Sequence, residues 1–568
     1  MGRKLWIGLT VGMIFLRAVP GWAATINVPV DYSTIGAANT AATSGDTINV
    51  AAGTYTETGQ IVISKNLSIV GAGKTSTIIM LDSDTTNSGD GKGWFLINPG
   101  NTVNFKDVTL DGSGHKIYQA IRHSGSGTIE NVKFTNIKYE ESGPQYNGGG
   151  VRILGPGNVD VKNCEFSQMG RVGIIDEGGT GTFSGNTYLG KGNGDWLDYA
   201  FDIEYGSQVI IDNNQISDNK GVASVDGSES AGISIWDDPG TRAIVTGNTL
   251  TNNTIGVAIA VATGSTDPIV TIGGGNIISG GTKGIDIQSW YGALGSPTIT
   301  ITGTTISDSV DGISVVSGMA VDNITVHNSS LLNNFDSGID NLGTGTLNAT
   351  DNFWGDSSGP SGGALDPVTS TPASGTGDNV SVNVHFDPWL DAAVDEAETK
   401  EIPAATTETI ENGELGIGAD VTTNAGGSST VTLAQYSGNP SGVAFDGYYY
   451  DLFVSDPGNI DQIILKLYYN ELANTEVYWF NDSIWALCSD QEVIAESVTI
   501  EGVTYNNRVE VTINNNTTPS LGDLSGTFFA LAAPENPTAD SGSLPVGPLA
   551  AGISTFLVWW KRRKQRQG

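Results

Sequence analysis

The chain has 568 residues and a formal net charge of −35, from 26 basic and 61 acidic residues. This length exceeds one ordinary globular core, unless the core grows in one dimension as it does in repeat proteins. The acidic balance argues against nucleic acid as a partner, and the 77 glycines lack the triplet period of collagen.

Residues 1–24 have the features of a signal peptide. Arg3 and Lys4 precede an apolar run, and the small residues Gly21 and Ala23 stand before a plausible cleavage site. We therefore expect an exported protein with an extracellular location. A retained membrane anchor is the alternative interpretation.

A repeat follows in residues 25–390. The phrase "VTGNTLTNNTIGVAIA" (245–260) has close relatives in "IDNNQISDN" (211–219) and "TGTTISDSVDGISV" (302–315). Each copy places one apolar residue in the same context: Leu110, Phe134, Phe166, Tyr188, Ile216, Leu250, Ile278, Ile306 and Leu331. The spacing runs from 22 residues (Phe166 to Tyr188) to 34 (Ile216 to Leu250), which is typical of a fixed coil with loops of variable length.

Short alternating apolar runs, broken by Gly and Asn, predict strands rather than helices within each copy. Such strands bury their inner faces only when the coils stack in parallel, about 4.8 Å apart. We expect Asn to form the corners, because it tolerates left-handed backbone geometry and its amide can bond to the next Asn in the stack. The aliphatic residue of the phrase then points inward, and the Gly-Ile-x-Ile segment begins the next face.

The segment "INVPVDYSTIGAANTAATSGDTINVAAGTYTE" (26–57) resembles the N-terminal cap and first turns of the pectin-lyase-like right-handed parallel β-helix proteins. "DNFWGDSSGP" (351–360) and "VNVHFDPWL" (382–390) resemble their closing coils. The resemblance implies an all-β fold, in which a right-handed parallel β-helix is followed by a smaller β-sandwich domain. It implies little about activity, because the group includes lyases, hydrolases, epimerases and adhesins.

The remaining chain divides into five segments. Residues 391–414 are acidic and short of large apolar residues, so we interpret them as a linker. Residues 415–534 contain alternating strands without a repeat and predict a β-sandwich. A Pro-rich linker (535–545), a hydrophobic segment (546–560) and a basic tail (561–568) resemble the sorting signals of prokaryotic surface proteins, which implies attachment to the membrane with the tail in the cytoplasm.

The residue between the two inward aliphatics of each Gly-Ile-x-Ile strand predicts a column of outward side chains. The column contains Arg122, Arg152, Asp202, Ser234, Ala258, Asp286, Ser314 and Asp340, with Ile175 between Arg152 and Asp202. The next outward position supplies Glu204, Trp236 and Gln288. Because neighbouring coils lie close together, these side chains are expected to converge on one face of the solenoid.

Three sets of candidate functional residues follow from this face and its loops. The candidates for stacking on sugar rings are Trp196, Trp236, Trp290 and Tyr291. The candidate Ca²⁺ ligands are Asp195, Asp198, Asp202, Glu204, Asp237 and Asp238. The lyases that the fold resembles use a basic residue to remove a proton, and this resemblance implies Arg152 or Arg171 as the candidate catalytic group.

The sequence favours a secreted, surface-anchored protein that binds carbohydrate or another surface ligand in an adhesin or envelope role. The alternative is a calcium-dependent polysaccharide lyase, or a related carbohydrate-active enzyme, that acts on an anionic glycan. The complete motif sets of polygalacturonase-like and epimerase-like proteins are missing, which favours the binding role. The outward column is also consistent with an ordinary solvated face, so a purely structural role stays open.

Overall fold

The computed structural model describes residues 23–140, 147–236, 240–261, 268–289, 294–436, 447–470, 475–481 and 484–532, together with 292, 438–441, 443 and 445. The predicted signal peptide lies outside the described residues, except for its last two positions. The predicted C-terminal segments, from 535 onwards, lie outside them entirely. Among the described residues, no helix has the length and hydropathy that a membrane span requires.

Three long parallel sheets form the first part of the chain. Sheet A contains the strands Thr25–Val28, Asp46–Val50, Leu67–Gly71, Val103–Lys106, Gly127–Glu130, Val159–Lys162, Thr180–Ser184, Gln208–Asp212, Arg242–Thr246, Ile269–Gly273, Thr298–Thr302, Ile324–His327, Leu347–Asn348 and Val384–His385. Sheet B contains Gly53–Glu57, Thr77–Leu81, Thr109–Asp111, Lys133–Thr135, Glu165–Ser167, Thr187–Leu189, Gln215–Ser217, Thr249–Thr251, Ile277–Ser279, Thr305–Ser307 and Ser330–Leu332.

Sheet C completes each coil and carries the longest loops at its ends. Its strands are Ile61–Ile63, Gly93–Ile97, Gln119–His123, Gly149–Leu154, Val172–Glu177, Tyr199–Glu204, Ala231–Trp236, Ile255–Val261, Lys283–Ser289, Asp311–Val315 and Ser337–Asn341. One α-helix, Ile35–Ala41, covers the N-terminal end, and short 3-10 turns lie at Gly89–Lys92, Pro457–Asn459 and Leu521–Asp523. This architecture confirms the predicted right-handed parallel β-helix.

The predicted ladder of inward apolar residues is confirmed by the register of sheet B. The strands pair Phe134 with Phe166, Phe166 with Tyr188, and Ile216 with Leu250. All of these side chains are buried in one core that extends along the solenoid. The rings of Phe134 and Phe166 stack with centroids 4.8 Å apart, which is also the spacing of neighbouring strands. Equivalent residues therefore fill equivalent space in successive coils.

Buried asparagines connect the coils at the turn between sheets A and B. The side-chain oxygen of Asn248 accepts hydrogen bonds from the backbone N–H and the Nδ2 of Asn214, both at 2.9 Å. In the same way, the side-chain oxygen of Asn214 accepts hydrogen bonds from the backbone N–H and the Nδ2 of Asn186. The side-chain oxygen of Asn276 accepts the corresponding two bonds from Asn248. Each amide thus satisfies buried donors that a turn would otherwise leave unpaired. The predicted Asn-to-Asn bonds are present, but the left-handed backbone that was predicted for the same residues falls on the preceding position instead, as at Asn213.

The corner position next to these buried asparagines has left-handed backbone geometry. Asn131, Asn163 and Asn213 occupy it with φ of 52°, 54° and 54°. Glycines take the same position in other coils, including Gly274 and Gly303. Both residue types are expected there, because a left-handed backbone is costly for most other side chains.

The second part of the chain is a β-sandwich, and it begins earlier than predicted. Sheet D contains Val394–Ile402, Ser429–Tyr436, Tyr448–Val454, Ser525–Ala532, Glu476–Phe480 and Trp485–Leu487 in spatial order. Sheet E contains Thr407–Asn412, Ile417–Thr423, Ile460–Tyr469, Asn507–Ile513 and Gln491–Ile494, and a small hairpin joins Val498–Ile500 to Val503–Tyr505. Side chains from both large sheets form one buried core.

The linker prediction for residues 391–414 is wrong, because two strands of the sandwich lie in this segment. Val394–Ile402 pairs with Ser429–Tyr436, and Thr407–Asn412 pairs with Ile417–Thr423. An antiparallel strand needs apolar side chains on one face only. Ile402 and Ile410 supply that face, and the acidic residues between them made the segment resemble a linker.

The sandwich docks on the A–B corner of the later coils. At Gly303 an added Cβ would lie 2.5 Å from the Ala397 Cβ, and at Gly274 it would lie 2.7 Å from the Thr399 backbone nitrogen. The next corner residue, Asn328, is buried, donates a hydrogen bond to Asp451 and accepts one from the Tyr436 hydroxyl at 3.2 Å. Glycine at two corners therefore provides the space that the sandwich occupies.

We expect Asn248→Ala to destabilise the solenoid by about 3 kcal/mol or more, because the two donors of Asn214 lose their acceptor inside the core. Asn49→Ala is the control, since Asn49 is exposed on a strand of sheet A. Thermal melting of both variants provides the measurement. Equal melting temperatures of the two variants would contradict the structural role of the buried asparagines.

We expect Gly303→Asn to separate the sandwich from the solenoid, because Asn is compatible with the left-handed corner but its side chain overlaps Ala397. The cost of such overpacking is about 1–3 kcal/mol. Gly185→Asn is the control, because its corner faces the flexible side chain of Asn163 instead of the sandwich. Small-angle scattering should show a larger radius of gyration for Gly303→Asn only, and an unchanged radius would refute the docking role of this glycine.

Candidate functional site

The outer face of sheet C carries the predicted column in the predicted order. The strand register joins Arg122 to Arg152, Arg152 to Ile175, and Ile175 to Asp202. It then continues through Ser234, Ala258, Asp286, Ser314 and Asp340. A second outward column lies two residues further along each strand and pairs Glu177 with Glu204. The prediction of which side chains share this face is thus confirmed.

A cavity of about 220 Å³ lies on this face. The charged residues that line it are Arg152, Arg171, Glu177, Asp202 and Glu204. Tyr118, Gln119, Asn147, Gly148, Gly149, Val172 and Ile175 complete its wall. Three successive coils therefore bring four of the predicted site residues together. We call this cavity the column pocket.

Arg152 forms a two-pronged ion pair with Glu177 of the next coil. Its Nε donates to Glu177 Oε2 at 2.8 Å, and its Nη2 donates to Oε1. The side chains are only 24% and 12% exposed, so water competes weakly for the pair. A guanidinium stays protonated in proteins, and this one already has a carboxylate partner. The geometry thus disfavours Arg152 as the proton acceptor that the resemblance implied.

Asp202 is a buried carboxylate held by several donors. Trp236 Nε1 donates to Asp202 Oδ1 at 2.8 Å, and Ser234 also bonds to this carboxylate. The pKa of Asp202 is raised overall, because the effect of burial exceeds that of the positive charge of Arg171 and of the hydrogen bonds, which lower it. Trp236, one of the predicted stacking residues, therefore has its indole N–H committed to Asp202.

Glu204 holds its proton at neutral pH. Burial raises its pKa to about 9, and the negative charges of Asp202 and Glu177 act in the same direction. Glu204 therefore donates a hydrogen bond to Asp202, which lowers the pKa of Asp202. Two interacting carboxyl groups with raised pKa values in one cavity are typical of sites with acid–base chemistry.

Arg171, the second candidate catalytic residue, lines the cavity beside this carboxyl pair. Its guanidinium carbon lies 5.8 Å from the centre of the Tyr199 ring, within cation–π distance. Tyr199 belongs to a small apolar cluster on the outer face of sheet C, with Val172, Leu197 and Ala231. The cluster supports the ring against which the guanidinium lies.

Trp236 and Trp196 are not among the residues that line the column pocket. Trp196 packs against the same apolar cluster, and its indole N–H donates to the carbonyl oxygens of Gly192 and Lys220. Its ring thus stabilises a loop. Trp290 and Tyr291 lie outside the described residues.

Four of the six predicted calcium ligands lie in the described part of the chain, and two of these, Asp195 and Asp198, do not line the column pocket. Asp195 caps a loop through two hydrogen bonds from Ser224, and buried Asp198 accepts from the Tyr188 hydroxyl at 2.5 Å and the Lys191 backbone N–H at 2.7 Å. Asp237 and Asp238 lie outside the described residues. In the part of the chain that the structure describes, no group of three or more His, Cys, Asp or Glu is arranged to hold a metal ion.

Sequence reasoning missed Glu177, which pairs with Arg152. The signal was available, because Glu177 follows Ile175 by the same two positions that separate Glu204 from Asp202. Because Ile175 was only an uncertain member of the column, the second outward position on its strand was not assigned. Tyr118 and Gln119 were missed because they lie before the Gly-Ile-x-Ile position that defined the column.

Comparison with known proteins agrees with this architecture. A family model described as a right handed beta helix region matches residues 94–272. The solenoid is thus a right-handed parallel β-helix, and antiparallel sheets follow it. The chain matches no curated protein sequence.

Several solved structures are similar to this chain at low sequence identity. The Dettilon tailspike protein is 13% identical with a TM-score of 0.40, over 89% of this chain and 93% of the tailspike. The catalytic unit of an α-1,3-glucanase from Streptomyces thermodiastaticus is 18% identical with a TM-score of 0.42, over 62% and 66% of the two chains. The periplasmic alginate epimerase AlgG is 15% identical with a TM-score of 0.40, over 61% and 83%.

Glu204 generates a pH-dependent prediction. Above the ordinary carboxyl range and up to about pH 9, the folded chain keeps a proton that the unfolded chain releases, so the stability of the folded state falls as the pH rises. We expect Glu204→Gln to remove this loss, which amounts to at most about 1.4 kcal/mol for each pH unit. The melting temperature of the variant minus that of the wild type should therefore increase with pH.

The control is Glu130→Gln, which removes an exposed carboxylate paired with Lys106 on sheet A. Its melting temperature should follow that of the wild type across the same pH range. A difference for Glu204→Gln that stays constant with pH would show that Glu204 does not keep its proton.

Proposed function

We propose that this protein binds carbohydrate in the column pocket. The observation that carries the proposal is the set of fixed donors and acceptors on the cavity wall, from Arg152, Arg171, Glu177, Asp202 and Glu204. Sugar hydroxyls both donate and accept hydrogen bonds, and a buried polar group binds only a ligand that satisfies it. The cavity is smaller than the roughly 300–1,000 Å³ of sites for drug-sized ligands, so it fits one sugar unit of a longer chain.

The proposed setting is the outside of the cell. The features of residues 1–24 support export, and the hydrophobic segment with its basic tail (546–568) supports attachment to a membrane. The net charge of −35 favours solubility and disfavours binding to polyanions. A surface protein that recognises glycans, in an adhesin or envelope role, combines these features.

The proposal is tested by titrating the full-length chain, in detergent, with a panel of neutral and anionic oligosaccharides in a calorimeter. We expect binding by the wild type and a loss of at least about tenfold in affinity for Arg171→Gln. Arg508→Gln is the control, because it removes an equivalent charge from the sandwich, where Arg508 pairs with Glu510. Wild-type protein that binds none of the oligosaccharides would contradict the proposal.

The same titration with a chelator tests the predicted calcium ligands. A dissociation constant that does not change when calcium is removed would argue against a role for calcium in binding.

Hydrolysis of a glycosidic bond is the second candidate function, and the Asp202–Glu204 pair favours it. Glycoside hydrolysis needs one protonated carboxyl group that donates to the leaving oxygen and one carboxylate that assists the attack. Burial raises the pKa of Glu204 to about 9, which supplies the protonated group, and Arg171 and Trp236 act on Asp202 against the raising effect of burial. Elimination, as in a lyase, is less favoured because Arg152 is already paired with Glu177.

Release of reducing ends from the bound oligosaccharides distinguishes the two candidates. A hydrolase should lose this activity in Glu204→Gln while its binding is retained. Wild-type protein that binds a glycan but never cleaves it would exclude hydrolysis of that glycan and leave the binding function in place.

A further inference from the structure

The column pocket supplies carboxyl groups for its own cations. Two arginines, Arg152 and Arg171, face three carboxyl groups, those of Glu177, Asp202 and Glu204. The lining therefore has no excess of guanidinium groups over carboxyl groups. A pocket that binds an anion normally leaves a cationic group to receive it, because burying an unpaired charge is costly.

Arg152 has its charge matched by Glu177. Two charge-assisted hydrogen bonds join its guanidinium to the carboxylate, and both side chains are largely shielded from water. A sugar carboxylate that approached Arg152 would meet a cation whose charge Glu177 already balances, and it would lie close to Glu177 in the same cavity. Like charges close together are unfavourable.

Arg171 shares the cavity with Asp202 and Glu204. Asp202 is 4% exposed, and burial raises its pKa overall, although the charge of Arg171 is the largest influence that lowers it. The guanidinium carbon of Arg171 lies 5.8 Å from the centre of the Tyr199 ring. A second carboxylate beside Arg171 would therefore lie close to both Asp202 and Glu204.

We propose that the column pocket selects uncharged sugar units over uronates, and that the Glu177–Arg152 ion pair sets this selectivity. The inference rests on the proposed function, since it names the class of sugar that the same pocket takes. Glu177 acts through Arg152 and is a positioning residue. Its carboxylate cancels the positive charge that a uronate would need.

The long-range field of the chain acts in the same direction. A net charge of −35 repels an anionic polymer before it reaches the pocket. Short-range pairing and long-range repulsion thus both disfavour uronates. Salt distinguishes the two effects, because it screens the long-range field much more than a shielded ion pair.

The test compares a neutral glucan trisaccharide with a galacturonate trisaccharide, titrated at pH 7 into wild-type protein, Glu177→Gln and Glu130→Gln. We expect wild type to bind the neutral sugar at least about tenfold more tightly, and Glu177→Gln to gain about tenfold in affinity for the galacturonate because Arg152 is released. Glu130→Gln removes the same charge from sheet A, where Glu130 pairs with Lys106, and should bind both sugars like wild type.

Wild-type binding needs no variant, so it tests the selectivity even if Glu177→Gln fails to fold. Tighter binding of galacturonate by wild type at about 500 mM salt, where the long-range field is screened, would overturn the inference and leave the proposed function intact. An unchanged galacturonate affinity in folded Glu177→Gln would overturn the role of Glu177. Failure of wild type to bind any sugar of the wider panel would overturn the proposed function, and this inference with it.

Discussion

Parallel hydrogen bonding between successive coils is the constraint on which the other features of this molecule depend. It places each residue directly beside the equivalent residue of the coil before it, at a distance of about 4.8 Å. The inward column then becomes a continuous core, as in the stacked rings of Phe134 and Phe166. The buried amides of Asn214 and Asn248 hold the same register at the turns, where strand pairing ends. Loops vary in length without disturbing this register, because they leave and re-enter the stack at its corners.

The same register builds the column pocket from residues that are distant in the sequence. Arg152, Glu177 and Asp202 each belong to a different coil, yet they line one cavity. Burial by the neighbouring coils then changes their chemistry. It raises the pKa of Glu204 to about 9, and it also raises the pKa of Asp202 against the opposing effects of the donors Trp236 and Ser234 and the charge of Arg171. A flat, solvated face with the same residues would show neither effect, because water would screen the charges.

Corner chemistry also decides how the two parts of the chain meet. Asn and Gly both adopt the left-handed backbone of a corner, but Gly leaves more room for a second domain. Gly274 and Gly303 therefore lie where the sandwich docks, and Asn328 next to them forms buried hydrogen bonds with Asp451 and Tyr436. The first strand of the sandwich, Val394–Ile402, packs directly on these corners. The solenoid and the sandwich are thus joined by packing as well as by the chain.

The sequence by itself determined the repeat, the inward ladder from Leu110 to Leu331 and the outward column from Arg122 to Asp340. These features follow from local alternation and from the stacking rule, so they need no knowledge of distant contacts. Local composition gave a wrong prediction where only one face of a strand is buried. The two acidic strands in residues 391–414 resembled a linker, because Ile402 and Ile410 are their main contributions to the sandwich core. Only the tertiary structure decided the pairing of Arg152 with Glu177, the burial of Asp198 and the use of Trp196 as loop packing. Those outcomes depend on where side chains from different coils and loops end, and on how much water remains around them, which residue order does not specify.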